Sequence, residues 1–204
     1  IYAFDTPEGW GWGNQFVRGA PDDPWAKVEG AAIVSSIWGT AANDVWVAAD
    51  NSAVEPWQKG MILHGTGADP TSLVWTAVDS QAAVPLTAIW GSSADDVWAV
   101  GESGTIRHLG AGAVRWEIVP SPTTAHLRRL WGTGPKDIWA VGDTGTILHY
   151  DGTAFTPSTV QLPLGRKPNL RGVWGSGPND VWIVGDGVVL HYTGPKAGKQ
   201  AGAQ

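Results

Sequence analysis

A tryptophan-centred repeat runs through almost the whole chain and limits the folds open to it. In the clearest copy, Trp131-Gly132 is followed by a short stretch of turn-forming residues that ends in Asp137, and then by Trp139. The first Trp of each copy falls at position 38, 90, 131 or 174, so successive copies are 52, 41 and 43 residues apart. Periods of about 20–50 residues are typical of solenoids, propellers and repeat arrays.

Each copy contains four short segments with the composition of β-strands. The first ends on Trp-Gly, and turn formers join it to a Val-Trp-x-Val segment, which predicts a hairpin. A third segment ends in His, and the fourth carries an aromatic residue, namely Trp75, Trp116 or Phe155. No segment combines a helical apolar period with helix caps. Four strands per repeat, rich in Trp and Gly, indicate the blade of a β-propeller.

Both ends of the repeat region are incomplete. Residues 1–5, 14–18 and 25–29 match the second, third and fourth strands of a blade, and residues 161–192 supply only the first three. The sequence therefore predicts an all-β propeller of about five four-stranded antiparallel blades, the first and last incomplete, with eighteen strands in all. The predicted blades are residues 1–29, 30–79, 80–120, 121–160 and 161–192, and residues 193–204 are predicted to form a disordered tail.

The incomplete end blades leave two ways to close the fold. In a four-bladed ring, residues 25–29 would supply the fourth strand of the last blade. In a five-bladed arrangement, sequence outside the chain or a second chain would cover the open edges. Because unpaired strand edges are association sites, the second arrangement predicts a homo-oligomer formed through the end blades.

Composition excludes several classes of function. The 204 residues carry a formal net charge of −6 and only 16% charged side chains, without a basic stripe, which argues against a nucleic-acid partner. No apolar run approaches the roughly 18 residues of a membrane span. The chain has no Cys, so disulfides, thiol catalysis and thiolate metal sites are excluded.

The repeat resembles a family of bacterial propellers. The string Trp-Gly-Ser/Thr-x-x-x-Asp-Val-Trp-Ala-Val-Gly, followed by Gly-Thr-Ile-Leu-His, looks like the β-propeller repeats of secreted and surface proteins of myxobacteria and their relatives. It covers residues 1–192. More distantly, the chain is similar to tachylectin-type lectins and to the Asp-box propellers of sialidases. The resemblance implies a propeller fold and an extracellular, cell-surface or periplasmic location, and it implies no activity.

Most of the unusual residues belong to the repeat itself, so we expect a structural role for them. Large flat side chains can fill the gaps between blades, and an Asp before a strand can hold a turn by accepting backbone N–H groups. This framework comprises Trp38, Trp90, Trp131 and Trp174 of the first strands, Trp46, Trp98, Trp139 and Trp182 of the second, and the turn acids Asp44, Asp96, Asp137 and Asp180.

One His ends the third strand of each repeat. These residues are His64, His108, His149 and His191. Because equivalent positions of different blades are spread around a ring, they cannot converge on one metal ion, so we expect structural histidines and no metal site. His126 is the only His outside this pattern.

Two enlarged loops hold the Trp residues that are not part of the framework. Trp10, Trp12 and Trp57 fall between the second and third strands of the first two blades, with Glu8 and Glu55 beside them. The loops begin at the acids Asp5 and Asp50. Because they belong to neighbouring blades, they are predicted to share one face, and loops carry function more often than a scaffold does.

Trp beside acids on exposed loops is suited to binding sugars, and it equally suits an anchor for a protein partner. The sequence favours a non-enzymatic, carbohydrate-binding module; the alternative is a protein-interaction or self-assembling scaffold propeller. A more remote alternative is a glycosidase or lyase using Glu8 and Glu55 as paired carboxylates. No catalytic residue and no cofactor is assigned, although the loop acids could bind a Ca²⁺ ion.

Overall fold

The computed structural model describes most of the repeat region. It gives the strand backbones at residues 2–5, 15–18 and 26–28, and full detail for residues 33–50, 60–69, 72–158, 160, 165 and 167–195. Trp25 and the tail beyond Pro195 lie outside these residues, so the predicted disorder of the tail stays a prediction.

The described residues form eighteen strands in five antiparallel sheets, which we call blades 1 to 5. Blade 1 contains β1 (Tyr2–Asp5), β2 (Gln15–Arg18) and β3 (Ala26–Val28). Blade 2 contains β4 (Ile33–Ala41), β5 (Asp44–Asp50), β6 (Gly60–Thr66) and β7 (Val74–Ala82). Blade 3 contains β8 (Leu86–Ser93), β9 (Asp96–Gly101), β10 (Ile106–Leu109) and β11 (Glu117–Ile118). Blade 4 contains β12 (Leu127–Gly134), β13 (Asp137–Gly142), β14 (Ile147–Tyr150) and β15 (Phe155–Pro157). Blade 5 contains β16 (Leu170–Gly177), β17 (Asp180–Gly185) and β18 (Val188–Tyr192).

This arrangement confirms the all-β prediction with three complete and two incomplete blades. Within each blade the strands pair in sequence order. Strand β3 pairs with β2 in blade 1, so it does not complete blade 5 as a four-bladed closure would require. Strand β7 runs to Ala82, three residues beyond the predicted blade boundary, and it has a register irregularity near Gln81, whose φ is 55°.

The two Trp of each repeat lie directly opposite each other in the sheet. In blade 3, for example, Trp90 of β8 is the register partner of Trp98 of β9. The first strand has a register shift on each side of its Trp, and the second shift follows the Trp-Gly pair. Cross-strand partners share one face of a sheet, so both rings of a repeat point toward the same neighbouring blade.

The apolar core lies between successive blades. The first strands contact in the order β4, β8, β12 and β16. Between blades 2 and 3, Trp46 meets the edge of Trp116 at a ring-centroid distance of 5.9 Å. Between blades 3 and 4, Phe155 approaches Trp98 in the same way, at 5.6 Å. An aromatic residue just before the fourth strand, or at its start, therefore closes over the second-strand Trp of the preceding blade.

The glycine of the Trp-Gly pair has no room for a side chain, because it lies against its own hairpin and, in blades 3 to 5, against a Trp of the preceding blade. A Cβ at Gly91 would lie 2.5 Å from the ring of Trp38, and one at Gly132 would lie 2.8 Å from the ring of Trp90. The same contact recurs between Trp131 of blade 4 and Gly175 of blade 5, where the distance would be 2.6 Å. The first-strand Trp of blades 2, 3 and 4 thus packs on the bare glycine of the next blade, where any side chain would clash with a rigid ring.

Tight turns join the second and third strands of blades 3 and 4. Each contains one turn of 3-10 helix, at Glu102–Gly104 and Asp143–Gly145. The middle residues, Ser103 and Thr144, have φ values of 53° and 56°, and the glycines that follow are also left-handed. Two consecutive left-handed residues make a compact reversal, in which glycine at the second position avoids strain. No helix in the described part of the chain is long and apolar enough to cross a membrane.

Candidate binding surfaces

In each of blades 2 to 5, a Ser or Thr, an Asp and a His form a hydrogen-bonded network, and a Trp stacks on the His. In blade 4, Asp137 accepts hydrogen bonds from Thr133 Oγ1 at 2.5 Å and shares one with His149 Nε2 at 2.6 Å. His149 in turn stacks on Trp139, with ring centroids 4.3 Å apart. The corresponding residues are Thr40, Asp44, Trp46 and His64 in blade 2, Ser92, Asp96, Trp98 and His108 in blade 3, and Ser176, Asp180, Trp182 and His191 in blade 5.

The network gives the repeated Asp and His a shared role that the sequence analysis treated as two separate ones. The sequence predicts that the turn acids accept backbone N–H groups, whereas in the structure the Asp137 carboxylate binds a hydroxyl and an imidazole. The reason is the strand register. The His lies opposite the second-strand Trp, and the Asp lies two residues before that Trp, so all three side chains are on the same face of the sheet. The sequence does contain a signal for this network, because a Ser or Thr stands four residues before the Asp in all four repeats.

These networks occupy the His side chains within their own blades. No group of three His, Cys, Asp or Glu among the described residues is placed to hold a metal ion. The extra histidine, His126, accepts the N–H of Ser103 through Nδ1 at 3.1 Å, and Asn169 accepts the N–H of Thr144 in the next blade. His126 therefore caps the tight turn of the preceding blade.

In blades 4 and 5, the acid that follows the second strand pairs with an arginine of the first strand. Asp143 accepts both guanidinium donors of Arg128, with the second at 2.7 Å, and Asp186 pairs with Arg171 at 2.6 Å. Because the hydrogen bond from Arg171 stabilises the charged form, the pKa of Asp186 is lowered. The acid that directly follows the second strand is thus engaged in an ion pair in both blade 4 and blade 5.

The ligand site predicted from the sequence falls largely outside the described residues. Those residues do not include Trp10, Trp12, Trp57, Glu8 or Glu55. Asp5 ends strand β1 and pairs with Gln15 through the backbone, and Asp50 ends strand β5 opposite Gly60. The prediction that these residues form one binding surface therefore stays a prediction.

The described part of the chain has a different exposed surface, on the side of blade 5 that faces away from blade 4. Trp174 is 61% exposed, Trp182 40%, Val184 46% and Val189 65%. Trp174 is the register partner of Trp182, and Val184 is that of Val189, so all four side chains lie on one face of the sheet. We call this surface the open face of blade 5.

Three of the four equivalent residues of blade 3 are buried, and the fourth, Trp90, is partly buried. In blade 3, Trp98, Val100 and Ile106 occupy the places of Trp182, Val184 and Val189, and they are at most 2% exposed because blade 4 packs on them. The open face thus has the composition of a blade–blade interface without a covering blade among the described residues. The sequence did not predict this surface, because Trp174 and Trp182 belong to the repeated framework.

A second apolar patch lies at the outer end of blade 3. Val114 and Ile118 are exposed there, beside an open groove lined in part by Arg115 and Gln81. Unlike the open face, this patch contains no exposed aromatic ring, since Trp116 is fully buried against blade 2.

The fold is similar to that of solved structures, although no match is found by sequence. No family model matches the sequence, and no curated protein matches it. A solved structure of YCF48 bound to D1 peptide superposes with a TM-score of 0.65 and 14% identity, over 89% of this chain and 58% of that chain. YCF48 from Cyanidioschyzon merolae superposes with a TM-score of 0.59 and 14% identity, over 88% of this chain and 63% of that one.

The class of protein is therefore a β-propeller, as the repeat predicted. At this identity the likeness concerns the fold alone. The chain spans about three fifths of the length of the two YCF48 structures. The resemblance to myxobacterial repeats stays a prediction from the sequence.

Proposed function

We propose that this propeller binds other proteins and that the open face of blade 5 is its binding surface. The observation that carries the proposal is the exposure of Trp174 and Trp182, whose counterparts in blade 4 pack against the next blade. Contiguous exposed apolar surface marks interaction sites, and Trp is among the residues that contribute most to protein interfaces.

The surroundings of the two rings have the layout of an interface with a polar rim. The Arg171–Asp186 ion pair lies at one end of blade 5, and the Asp180–His191 pair lies beside Trp182. An apolar centre bordered by charged, solvent-accessible groups is typical of protein–protein interfaces. The YCF48 structure with a bound D1 peptide supports a polypeptide as the class of ligand, since that protein has the same fold.

A paired set of variants tests the proposal. Trp174→Ser combined with Val189→Ser removes apolar surface from the open face, and Val114→Ser combined with Ile118→Ser removes it from the patch on blade 3. The wild-type chain and both variants are cross-linked in extract of the native host, and the captured proteins are quantified by mass spectrometry. Thermal unfolding checks that both variants are folded.

We expect the variant of the open face to recover specific partners at least about tenfold less well, which corresponds to about 1.4 kcal/mol of binding energy. The variant on blade 3 should recover them as the wild type does. Equal recovery by all three proteins would mean that the open face is not the binding surface.

Carbohydrate binding is a separate prediction, carried by the sequence of the two enlarged loops. A glycan array probed with the wild-type chain and with Trp57→Ala tests it directly. Sugar binding that is lost in Trp57→Ala and kept in the variant of the open face would assign a lectin function to the loops. Light scattering at several concentrations tests the related prediction of a homo-oligomer.

A further inference from the structure

We infer that the outer edge of blade 5, strand β18, accepts an extended segment of a partner protein as a fourth strand. The segment is inferred to carry an aromatic residue, then Thr or Glu, then an apolar residue, and to run antiparallel to β18. The inference rests on the proposed function and names the kind of partner that the same blade would bind.

Strand β18 is the third strand of its blade, and in every complete blade the third strand pairs on both sides. Strands β6, β10 and β14 pair with β7, β11 and β15 on their outer side. Among the described residues, β18 pairs with β17 alone. The outer N–H and C=O groups of such an edge can pair with an added strand, a common mode of peptide recognition.

The three complete blades define which residues fit beside a third strand. The His of that strand lies opposite Thr76 in blade 2, Glu117 in blade 3 and Thr156 in blade 4. The residue before this Thr or Glu is always aromatic, and the residue after it is apolar. The three segments are Trp75-Thr76-Ala77, Trp116-Glu117-Ile118 and Phe155-Thr156-Pro157. Transferred to blade 5, the Thr or Glu lies opposite His191.

The aromatic position has a defined surface to pack on. At the junction of blades 3 and 4, Tyr150 lies 4.8 Å from Trp98 at an interplanar angle of 53°, and Phe155 of the fourth strand adds a third ring. At the junction of blades 4 and 5, Tyr192 lies 4.9 Å from Trp139 at the same angle. The first two rings of the cluster are thus in place, and the partner segment supplies the third.

The edge is also continuous with the open face. Val189 and His191 of β18 are both exposed and lie on the same side of the sheet as Trp182, through the pairs Val184–Val189 and Trp182–His191. A strand added to β18 therefore extends the face that we propose as the binding surface, and it continues a strand–strand interface that the chain forms three times. The chain's own tail does not fit the pattern, since residues 196–204 contain no aromatic residue.

A peptide of known sequence tests the inference. The probe is a fluorescently labelled peptide of residues 113–119, which contains the Trp116-Glu117-Ile118 segment, titrated against the full chain by fluorescence anisotropy. The control is the same peptide with Trp116→Ser. We expect saturable binding of the first peptide and binding weaker by about tenfold or more for the control, because the ring is the main apolar contact.

A grafted chain provides the second measurement. Replacing residues 196–204 with a copy of residues 151–158 supplies a fourth strand from within the chain, and the matched control graft carries Phe155→Ser in that copy. We expect the first graft to lose binding of the 113–119 peptide and the control graft to retain it. Neither graft alters the existing blades, so a loss of folding does not confuse the result.

Equal binding of the two peptides, or undiminished peptide binding by the first graft, would overturn the inference. Self-association of the wild-type chain that the first graft abolishes would also overturn it, by assigning the edge to a second copy. The two proposals fail separately. If the peptide does not bind but the variant of the open face loses its cross-linked partners, only the edge-strand inference is wrong.

Discussion

Blades 3 and 5 carry nearly the same repeat in different surroundings. Their internal networks agree closely: the Asp–His distance is 2.7 Å in both, and the bond from the indole N–H to Asp is 3.1 Å in both. Yet Trp98 in blade 3 is buried and Trp182 in blade 5 is exposed. The network is therefore determined within one sheet, whereas burial depends on whether a following blade packs on it.

This difference separates two roles that one sequence pattern combines. Inside the stack of blades, the paired Trp residues fill the space between sheets and stabilise the fold. At the end of the described stack, the same residues form an exposed aromatic surface. A residue of the repeat can thus be buried in one blade and exposed in another, through position alone.

The largest expected effect comes from removing the equivalent Trp in each blade. Trp98→Ala should lower the free energy of unfolding by about 3–5 kcal/mol, because it leaves a cavity between blades 3 and 4. Trp182→Ala should cost about 1 kcal/mol, because its ring contacts His191 and is partly in water. Urea unfolding followed by circular dichroism measures both. Equal losses would mean that the open face is covered in solution.

Glycine substitutions should give the next largest effect and sharpen the same comparison. Gly132→Ala forces a methyl group against Trp90 and against the carbonyl oxygen of Asp137 in its own hairpin, and it should cost about 2 kcal/mol. Gly134→Ala, on the same strand, meets nothing within 4 Å and should change stability by less than about 0.5 kcal/mol. Gly39 of blade 2 meets only atoms of its own hairpin, so the cost of Gly39→Ala should fall between the two. A similar cost at Gly132 and Gly134 would rule out the contact between blades as the reason for the Trp-Gly pair.

The sequence predicts the architecture well because the same pattern of strands and turns recurs in several copies of the repeat. The four strands of a blade, the tight turn at Asp143–Gly145 and the missing strands at both ends follow from turn formers and alternating apolar residues. The need for Gly132 is also visible in the sequence, because a Gly follows the first-strand Trp in all four repeats. Its cause, close contact with the carbonyl oxygen of Asp137 and with Trp90 of another blade, becomes visible only in three dimensions.

The candidate site is harder to predict, because exposure is a property of neighbours. Nothing in the residues around Trp182 distinguishes it from Trp139, which blade 5 buries. The joint role of Asp180 and His191 depends on strand register, which places residues eleven apart on one face. Enlarged loops led the sequence analysis to Trp57 instead, which lies outside the described residues.

Ion pairs of blades 4 and 5 offer a third comparison, with a smaller effect. Arg128–Asp143 is a two-point pair whose carboxylate is mostly shielded, so Asp143→Asn should cost about 1 kcal/mol at low salt and less at high salt. Arg171–Asp186 is much more exposed, so Asp186→Asn should have no measurable effect on stability. Thermal unfolding at two salt concentrations checks both. A larger effect at Asp186 would indicate that blade 5 is covered in solution.

The smallest expected effect concerns the response of blade 5 to acid. Hydrogen bonds from Ser176 and His191 lower the pKa of Asp180 below its ordinary value of about 3.9. A carboxyl group whose pKa is lower in the folded state stabilises the fold above its unfolded pKa, and this stabilisation is lost as pH falls through the folded pKa. The free energy of unfolding should therefore decline below about pH 4 in the wild type, and it should decline less steeply in Asp180→Asn. Urea unfolding at a series of pH values measures both slopes, and equal slopes would show that the Asp180 network does not contribute to acid sensitivity.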